Sequence, residues 1–455
     1  MPQAALDIAG KYLSAAEETD PIKYAGRICR VQGLLMESRG PQAVMGEVCR
    51  IESLRGGVME AEVVGLRDEI VQLMAYGETG GIEVGDRVVA SGRLLEVAVS
   101  EGLLGRVLDA LGRPIDGKGG IAARARYPVM AASPDPLRRK RIDRRIVTGV
   151  RALDGLLAVG RGQRLGIFAG SGVGKSTLLG MMARNTSADV NVIALIGERG
   201  REVKEFIEND LGEEGLARSV VVASPSDSAP LARLRGAYTA TAVAEYFRDQ
   251  GKNVMLLFDS ITRFARAQRE IGLASGEPPA TRGYTPSVFD SMPKLLERCC
   301  ASERGTITGF YTILVEGDDM DEPVSDTVRG ILDGHVILSR SLAQASHYPA
   351  IDVLQSLSRL MPAVAGPVTR KAAAYIRRLM ADYAGAEDLI NLGAYAAGSN
   401  PAIDDAISKH QAIEGFLIQE TGERASLGDT LALMGKITGM EIPPEEAGAY
   451  GAGVP

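Results

Sequence analysis

The segment Gly166-Ile167-Phe168-Ala169-Gly170-Ser171-Gly172-Val173-Gly174-Lys175-Ser176-Thr177 decides the fold of this chain. A short apolar run leads into a glycine-rich turn, and residues 178–183 follow with a helix-like pattern. This order of strand, loop and helix is the context that a phosphate-binding P-loop requires. Glycines let consecutive backbone N–H groups converge on one anion, and the following helix directs its positive dipole end there. We therefore predict a phosphate site, although Ala169 replaces the first glycine of the pattern.

Composition narrows the class of protein. The chain has 455 residues, 45% of them apolar and 24% charged, with a net charge of −7, so general affinity for nucleic acid is not implied. Three histidines and four cysteines without a C-x-x-C pair argue against a zinc site or a disulfide framework. There is no apolar run near the ~20 residues of a membrane span and no signal-peptide pattern. A reducing cytoplasm is expected, and any membrane association should be peripheral.

Changes of pattern along the chain predict an α/β protein with three packed regions. Short β-like runs separated by turns indicate an N-terminal β-barrel, alternating strands and helices indicate a central parallel sheet, and the C-terminal part is helical. The predicted ranges are 1–20 for an N-terminal arm, 21–100 for the barrel, 101–148 for a connector, 149–367 for the P-loop domain and 368–455 for the helical domain. The arm is either a partner-binding helix or a frayed terminus.

A basic run lies in the connector, at 138–145. Such a run is usually a solvated surface, and contact with anionic lipid or nucleic acid is the alternative. The sequence leaves its role open.

Strands around the P-loop bring polar side chains to the same edge of the sheet. The predicted strands are 164–169, 190–196, 219–223, 253–259, 306–315 and 336–339. Ligands bind at the carboxyl ends of such strands, so Asp259, which ends a buried run, is expected to hold Mg²⁺ through the ion's own waters. Lys175 is expected to reach the outer phosphates, and the Ser176 hydroxyl to bind the Mg²⁺.

Glu198 follows another apolar strand and reaches the same edge. It is either the group that orients or deprotonates the attacking water, or the partner of Arg199 or Arg201 in an ion pair. Glu202 is expected around the metal without binding it directly. Residues 348–359 are interpreted as a loop running into a polar segment, in which Arg359 is either an arginine finger or a solvated cation.

These segments resemble the hexameric ATPase family that includes the rotary ATP synthase catalytic subunit. Residues 349–358, Pro-Ala-Ile-Asp-Val-Leu-Gln-Ser-Leu-Ser, are similar to that family's signature decapeptide, and the likeness covers nearly the whole chain. Within the family the chain resembles the type III secretion branch, which includes flagellar export ATPases. The segments that carry this second likeness are 168–176, 197–203, 276–281 and 314–319. The resemblance implies a barrel, a RecA-like P-loop ATPase domain and a helical domain.

The resemblance also assigns roles to residues. Glu198 matches the catalytic glutamate, Arg263 an arginine near the phosphates, Tyr348 an aromatic that packs on adenine, and Arg359 a finger that enters a neighbouring subunit's site. The implied ATP-binding set is Ala169, Gly170, Ser171, Gly172, Val173, Gly174, Lys175, Ser176, Thr177, Arg263 and Tyr348. Since one chain carries both the glutamate and the finger, identical copies could form a homohexamer with complete sites.

Activity and partners follow from the same resemblance. An Mg²⁺-dependent ATPase is expected that energises flagellar protein export, with a virulence injectisome ATPase as the alternative and an RNA-translocating transcription-termination helicase as a third hypothesis. The expected partners are a regulator on the N-terminal arm, a coiled-coil stalk near the loop 277–279, the export gate, chaperones and secreted substrates, and no nucleic acid. The expected location is the cytoplasm, at the inner face of the membrane.

Overall fold

A computed structural model describes residues 24–315, 317 and 319–448. The predicted arm at 1–20 lies outside the described residues. The chain divides into two compact units: the first comprises residues up to Leu95, and the second comprises the rest apart from 274–276, which groups with the first. Each unit has its own hydrophobic core.

The first unit is a closed antiparallel barrel of six strands in the order β1-β2-β5-β4-β3-β6. Alternate residues point inward, as period-2 patterning requires, so that Met36, Ile51 and Leu73 are fully buried in its core. This arrangement confirms the predicted barrel. The strands are β1 (Ala25–Gln32), β2 (Leu35–Arg39), β3 (Glu47–Glu52), β4 (Val58–Arg67), β5 (Ile70–Ala75) and β6 (Arg87–Leu94).

The second unit is built on an eight-stranded sheet in the order β18-β17-β12-β16-β15-β13-β14-β8. All neighbouring strands are parallel except β17 and β18, which are antiparallel. The strands are β8 (Arg106–Leu108), β12 (Arg164–Ala169), β13 (Val190–Ile196), β14 (Ser219–Ser224), β15 (Asn253–Asp259), β16 (Thr306–Leu314), β17 (Gly334–Leu338) and β18 (Ile351–Ser358). Two small ribbons accompany the sheet, β7 (Glu96–Val99) with β9 (Ala125–Pro128) and β10 (Arg145–Ile146) with β11 (Val159–Gly160).

One prediction about this sheet is wrong. Residues 351–358 form the edge strand β18 and are not a polar segment after a loop. The pattern is hard to read because serines, Ser356 and Ser358, occupy buried positions and the register with β17 shifts partway along. Ser358 is satisfied there because its hydroxyl donates to the carbonyl of Ala158 at 2.7 Å.

Helices cover the sheet and form the C-terminal part. They are α1 (Arg151–Leu156), α2 (Lys175–Asn185), α3 (Gly200–Glu205), a π-helix (Phe206–Leu211), α4 (Gly212–Ala217), α5 (Pro230–Asp249), α6 (Ile261–Ala274), α7 (Pro286–Leu296), α8 (Pro323–Ile331), α9 (Arg340–Gln344), α10 (Met361–Val364), α11 (Pro367–Asn391), α12 (Pro401–Leu417) and α13 (Leu427–Thr438). Short 3-10 turns occur at Glu101–Leu103, Pro136–Arg138, Thr281–Gly283 and Pro444–Ala447. Among the described helices, none is long and apolar enough to cross a membrane.

The sheet and the C-terminal helices share one hydrophobic core. Gly155 in α1 lies so close to this region that a Cβ there would be 2.8 Å from Phe416 and 2.9 Å from Met434. The close approach explains why a glycine stands in this helix despite its low helix propensity. The C-terminal helices therefore pack directly against α1, which precedes the P-loop in the chain.

Candidate active site

The P-loop has the geometry that its sequence predicts. β12 ends at Ala169 and α2 begins at Lys175. Gly172 and Gly174 have φ angles of 78° and 84°, in the left-handed region that disfavours side chains. Ala169 has no such constraint, because it is the buried last residue of the strand and its carbonyl accepts a hydrogen bond from the Val315 N–H at 3.0 Å. An alanine at the first position of the pattern is therefore compatible with the loop.

The remaining residues of the loop differ in exposure. Ser171 and Gly172 are exposed, Val173 is buried, and Ser176 is half-buried in the first turn of α2. Ser176 thus lies where the N–H groups of a helix start are unpaired, which suits an anion and its metal.

Two carboxylates meet the P-loop lysine. Asp259 ends β15 and Glu198 follows β13, and these strands are neighbours with Leu195 opposite Asp259. Lys175 Nζ lies 2.5 Å from Asp259 Oδ1 and 3.4 Å from Glu198 Oε1. All three side chains are largely buried, with exposed fractions of 13% for Lys175, 12% for Glu198 and 4% for Asp259. The structure thus brings these three predicted site residues together.

Burial and charge shift the proton affinities of this cluster. The pKa of Glu198 is raised because burial and the charge of Asp259 disfavour its ionised form, although Lys175 and Arg263 oppose that effect. The pKa of Lys175 is raised in spite of the burial that opposes it, because the carboxylates of Asp259 and Glu198 stabilise the ammonium form. A carboxylate with an elevated pKa beside a phosphate site is suited to proton transfer.

Thr312 is a polar residue of the site that sequence reasoning missed. Its hydroxyl lies in the buried strand β16 and donates to Asp259 Oδ1 at 2.7 Å, which fixes the orientation of that carboxylate. The available signal was a polar side chain inside an otherwise apolar strand.

Arg263 contacts the loop that carries Glu198. Gly197 has a φ of 72°, and a Cβ there would lie 2.9 Å from the Cβ of Arg263. The Nε of Arg263 is buried without a hydrogen-bond partner among the described residues. A cation with an unsatisfied donor near Glu198 is suited to an anionic ligand.

The ion pairs of Glu202 exclude one of the two interpretations of Glu198, that it pairs with Arg199 or Arg201. Arg199 and Arg201 both pair with Glu202, at 3.1 Å and 3.8 Å. Glu198 instead pairs with Lys175, so its carboxylate lies beside the P-loop. Glu202 is half-exposed at the start of α3, and its charge contributes to the raised pKa of Glu198.

Tyr348 lies over the end of the P-loop. A Cβ at Gly174 would be 3.3 Å from its ring, and Tyr348 as a whole is 41% exposed, so part of the residue is accessible to a ligand. The carbonyl of Tyr348 accepts a hydrogen bond from the Gln419 N–H at 2.9 Å. Gln419 follows α12 and carries no sequence signal of its own.

The side chain of Thr177 is directed away from the cluster of Lys175, Glu198 and Asp259, because it hydrogen-bonds to Asp210 of the π-helix. It therefore contributes to how α2 packs on that segment.

Arg359 lies at the amino-terminal ends of the parallel strands, whereas the P-loop of the same chain lies at their carboxyl ends. Ala169 of β12 is the register partner of Leu338 in β17, and Leu338 is the register partner of Ile351, where β18 begins. At a rise of ~3.3 Å per residue, β18 then runs about 20 Å away before it reaches Ser358. Arg359 is exposed, and its guanidinium forms no ion pair within the described part of the chain. It cannot reach the phosphate site of its own chain.

Comparison with known proteins gives three family matches along the chain. Residues 28–92 match the β-barrel domain and residues 149–358 the nucleotide-binding domain of the ATP synthase alpha/beta family. Residues 365–436 match the C-terminal domain of the T3SS EscN ATPase.

Individual relatives match over nearly the whole chain. The flagellum-specific ATP synthase of Treponema pallidum is 60% identical over 97% of this chain and 99% of its own length. That of Bacillus subtilis is 53% identical over 94% and 98%, and the type 3 secretion system ATPase of Xanthomonas euvesicatoria is 51% identical over 91% and 94%.

Solved structures give the same result. The assembled ATPase EscN from the type III secretion system of enteropathogenic E. coli superimposes with a TM-score of 0.86 at 44% identity, covering 90% of this chain and 99% of that one. The structure of assembled EscN with its central stalk EscO gives a TM-score of 0.85 at 43% identity and the same coverage.

Proposed function

Since the chain belongs to the flagellar and type III secretion ATPases of the ATP synthase alpha/beta family, we propose that it is the Mg²⁺-dependent ATPase of a homohexameric ring that energises flagellar protein export. The observation that supports this most directly is the division of the site. Lys175, Glu198 and Asp259 gather at the carboxyl ends of the parallel strands, and Arg359 lies at their amino-terminal ends. A ring of identical copies supplies the missing cation from a neighbour.

The chemistry of each residue follows from its contacts. Backbone N–H groups of the P-loop and Lys175 bind the phosphates, and Lys175 exchanges its carboxylate partners for phosphate oxygens when ATP enters. Glu198 orients a water and accepts its proton as the water oxygen bonds to the γ-phosphorus. The bond from that phosphorus to the bridging oxygen breaks, and ADP and phosphate leave. Arg263 and the neighbour's Arg359 stabilise the charge on the transferring group.

A magnesium ion fits the donors at this site. Ser176 offers a hydroxyl, and Asp259 and Glu202 offer carboxylates for the ion's waters, which is the oxygen-rich set that Mg²⁺ prefers. Among the described residues there is no group of three or more His, Cys, Asp or Glu that could hold a metal ion. When bound with ATP, the ion neutralises phosphate charge.

The flagellar role is supported by the names of the relatives at 60% and 53% identity, which are flagellum-specific. An injectisome role is the second candidate, because ATPases named for type 3 secretion are 51% and 49% identical. The coupled event, chaperone release and unfolding of secreted substrates at the export gate, is proposed from the family.

Partners and location are proposed on the same basis. EscN has been solved with a central stalk, so we propose that a coiled-coil stalk enters the ring channel beside the loop at 277–279. We further propose a regulator that binds the arm at 1–20, and a cytoplasmic position with peripheral contact to the inner face of the membrane.

The test is hydrolysis measured against assembly. Phosphate release should require Mg²⁺ and should rise with the fraction of protein in rings, measured by mass photometry of the same samples. Lys175→Ala should abolish release in rings that still assemble. Full activity in monomers would contradict the shared site, and stimulation by RNA would favour the helicase hypothesis.

A further inference from the structure

A basic cavity lies at the same end of the strands as Arg359. It has a volume of about 310 Å³, and Arg139, Lys140, Arg141 and Arg164 line it. Two of these cations are already paired, because Arg139 contacts Glu297 at 2.6 Å and Arg164 contacts Asp333 at 3.2 Å. Lys140 and Arg141 are exposed and form no ion pair with the part of the chain that the structure describes. We call Lys140 and Arg141 the basic rim.

The basic rim and Arg359 belong to one continuous surface. Leu360, which follows Arg359, lines the same cavity, and the Arg359 N–H donates to the carbonyl of Asp333 in its wall at 3.1 Å. Ile142, which follows the basic rim, packs with Val364 of α10. Wherever Arg359 docks, Lys140 and Arg141 must therefore approach as well.

The opposite charge lies beside the phosphate site. α3 begins two residues after Glu198, and the segment 200–217 contains six acidic and two basic residues. Glu205, Glu208 and Glu213 are exposed on this segment, and of these only Glu208 has an ion-pair partner among the described residues, Lys204 at 3.7 Å. We call Glu205, Glu208 and Glu213 the acidic flank.

We propose that the basic rim of one copy docks on the acidic flank of the next copy and guides Arg359 into that copy's phosphate site. The inference rests on the proposed function, since it requires the ring. Arg359 must approach Glu198 from the solvent side, where α3 forms the border, so the basic rim arrives over the acidic flank. Complementary charge of this kind speeds encounter and fixes register more than it adds affinity. The role of the basic run, which the sequence left open, would then be to contact a second copy of this chain.

The test is a charge swap. K140E/R141E and, separately, E205K/E208K should each raise the protein concentration at which half of the chains are in rings, by roughly tenfold at low salt. The shift should shrink at high salt, where the Debye length is only ~3 Å at 1 M. The variant that carries all four changes should recover most of the assembly, because the two reversed residues of each surface are again opposite in sign and only Glu213 keeps its original charge. The matched control R124E/R126E, at the start of β9 and just before it, should leave assembly unchanged.

Three outcomes separate the possibilities. Assembly that is unaffected by either reversal, in a wild-type protein that forms rings, overturns this inference and leaves the proposed function intact. Wild-type protein that never assembles overturns the ring itself. Loss of binding to phosphatidylglycerol vesicles by K140E/R141E, with assembly unchanged, assigns the basic rim to a membrane and also overturns the inference.

Discussion

Glu198→Gln is the substitution that bears most directly on the chemistry. Glutamine keeps the size of the side chain and removes the proton acceptor. Loss of a positioned general base costs roughly 10²-fold or more in turnover, which corresponds to about 2.7 kcal/mol of barrier. We expect that loss in the maximal rate of phosphate release, with ATP affinity nearly intact.

The geometry explains why binding survives. Lys175 keeps its 2.5 Å contact with Asp259 when the 3.4 Å contact with Glu198 is lost, so the lysine stays oriented. Folding should survive as well. Since the pKa of Glu198 is raised in the folded chain, its ionised form opposes folding at neutral pH. The thermal midpoint of the variant without nucleotide should therefore be equal to or higher than that of the wild type.

The pH dependence of the rate gives an independent test of Glu198 as the base. A base with a raised pKa is protonated, and therefore idle, up to a higher pH, so the acidic limb of the rate should fall above the ordinary glutamate value of 4.5. The assays are steady-state phosphate release across pH and titration with a fluorescent ATP analogue. Near-normal turnover in Glu198→Gln would refute the assignment of the base, and loss of nucleotide binding would show that the residue acts on affinity instead.

Three further predictions concern single residues. Gly197→Ala should reduce turnover roughly 10²-fold, because its φ of 72° and the 2.9 Å approach to Arg263 force the loop to move, whereas Km for ATP should change little. Tyr348→Ala should raise Km for ATP about tenfold through loss of base stacking, and Tyr348→Phe should not; equal effects would argue against stacking. Asp116→Ala should lower stability by about 2 kcal/mol in chemical denaturation, since it breaks the paired 2.7 and 2.8 Å hydrogen bonds from Arg106. Because that arginine holds the pKa of Asp116 below its usual range, the wild-type advantage is present above pH ~4 and should disappear only in stronger acid, as pH falls through the lowered value.

Much of the central site could be predicted from sequence because Asp259 ends a strand and Glu198 follows one. Buried runs such as 190–196 and 253–259 are readable as strands, and the edge rule for parallel sheets then places Glu198 and Asp259 together. Local pattern could not separate the two roles of Glu198. That choice depended on where Arg199 and Arg201 turn, and the structure directs both to Glu202.

Other features depend on contacts between distant segments. β18 was missed because serines fill buried positions that a strand pattern expects to be apolar, and their partners are distant in sequence, as for Ser358 and Ala158. The same holds for Gln419, which contacts Tyr348 only because α12 packs beside it. Such positions carry no periodic signal, since their function depends on the tertiary fold.

Mixed rings test the central claim, that one chain holds half of each site. Glu198→Gln and Arg359→Ala proteins, each inactive alone, should be combined in equal amounts and reassembled. If subunits mix at random, about a quarter of interfaces receive both an intact Glu198 and an intact Arg359, so activity should return to about a quarter of the wild-type rate. Matched rings of each variant alone serve as the control. Mixed rings that assemble but release phosphate no faster than the two parents would contradict the shared site.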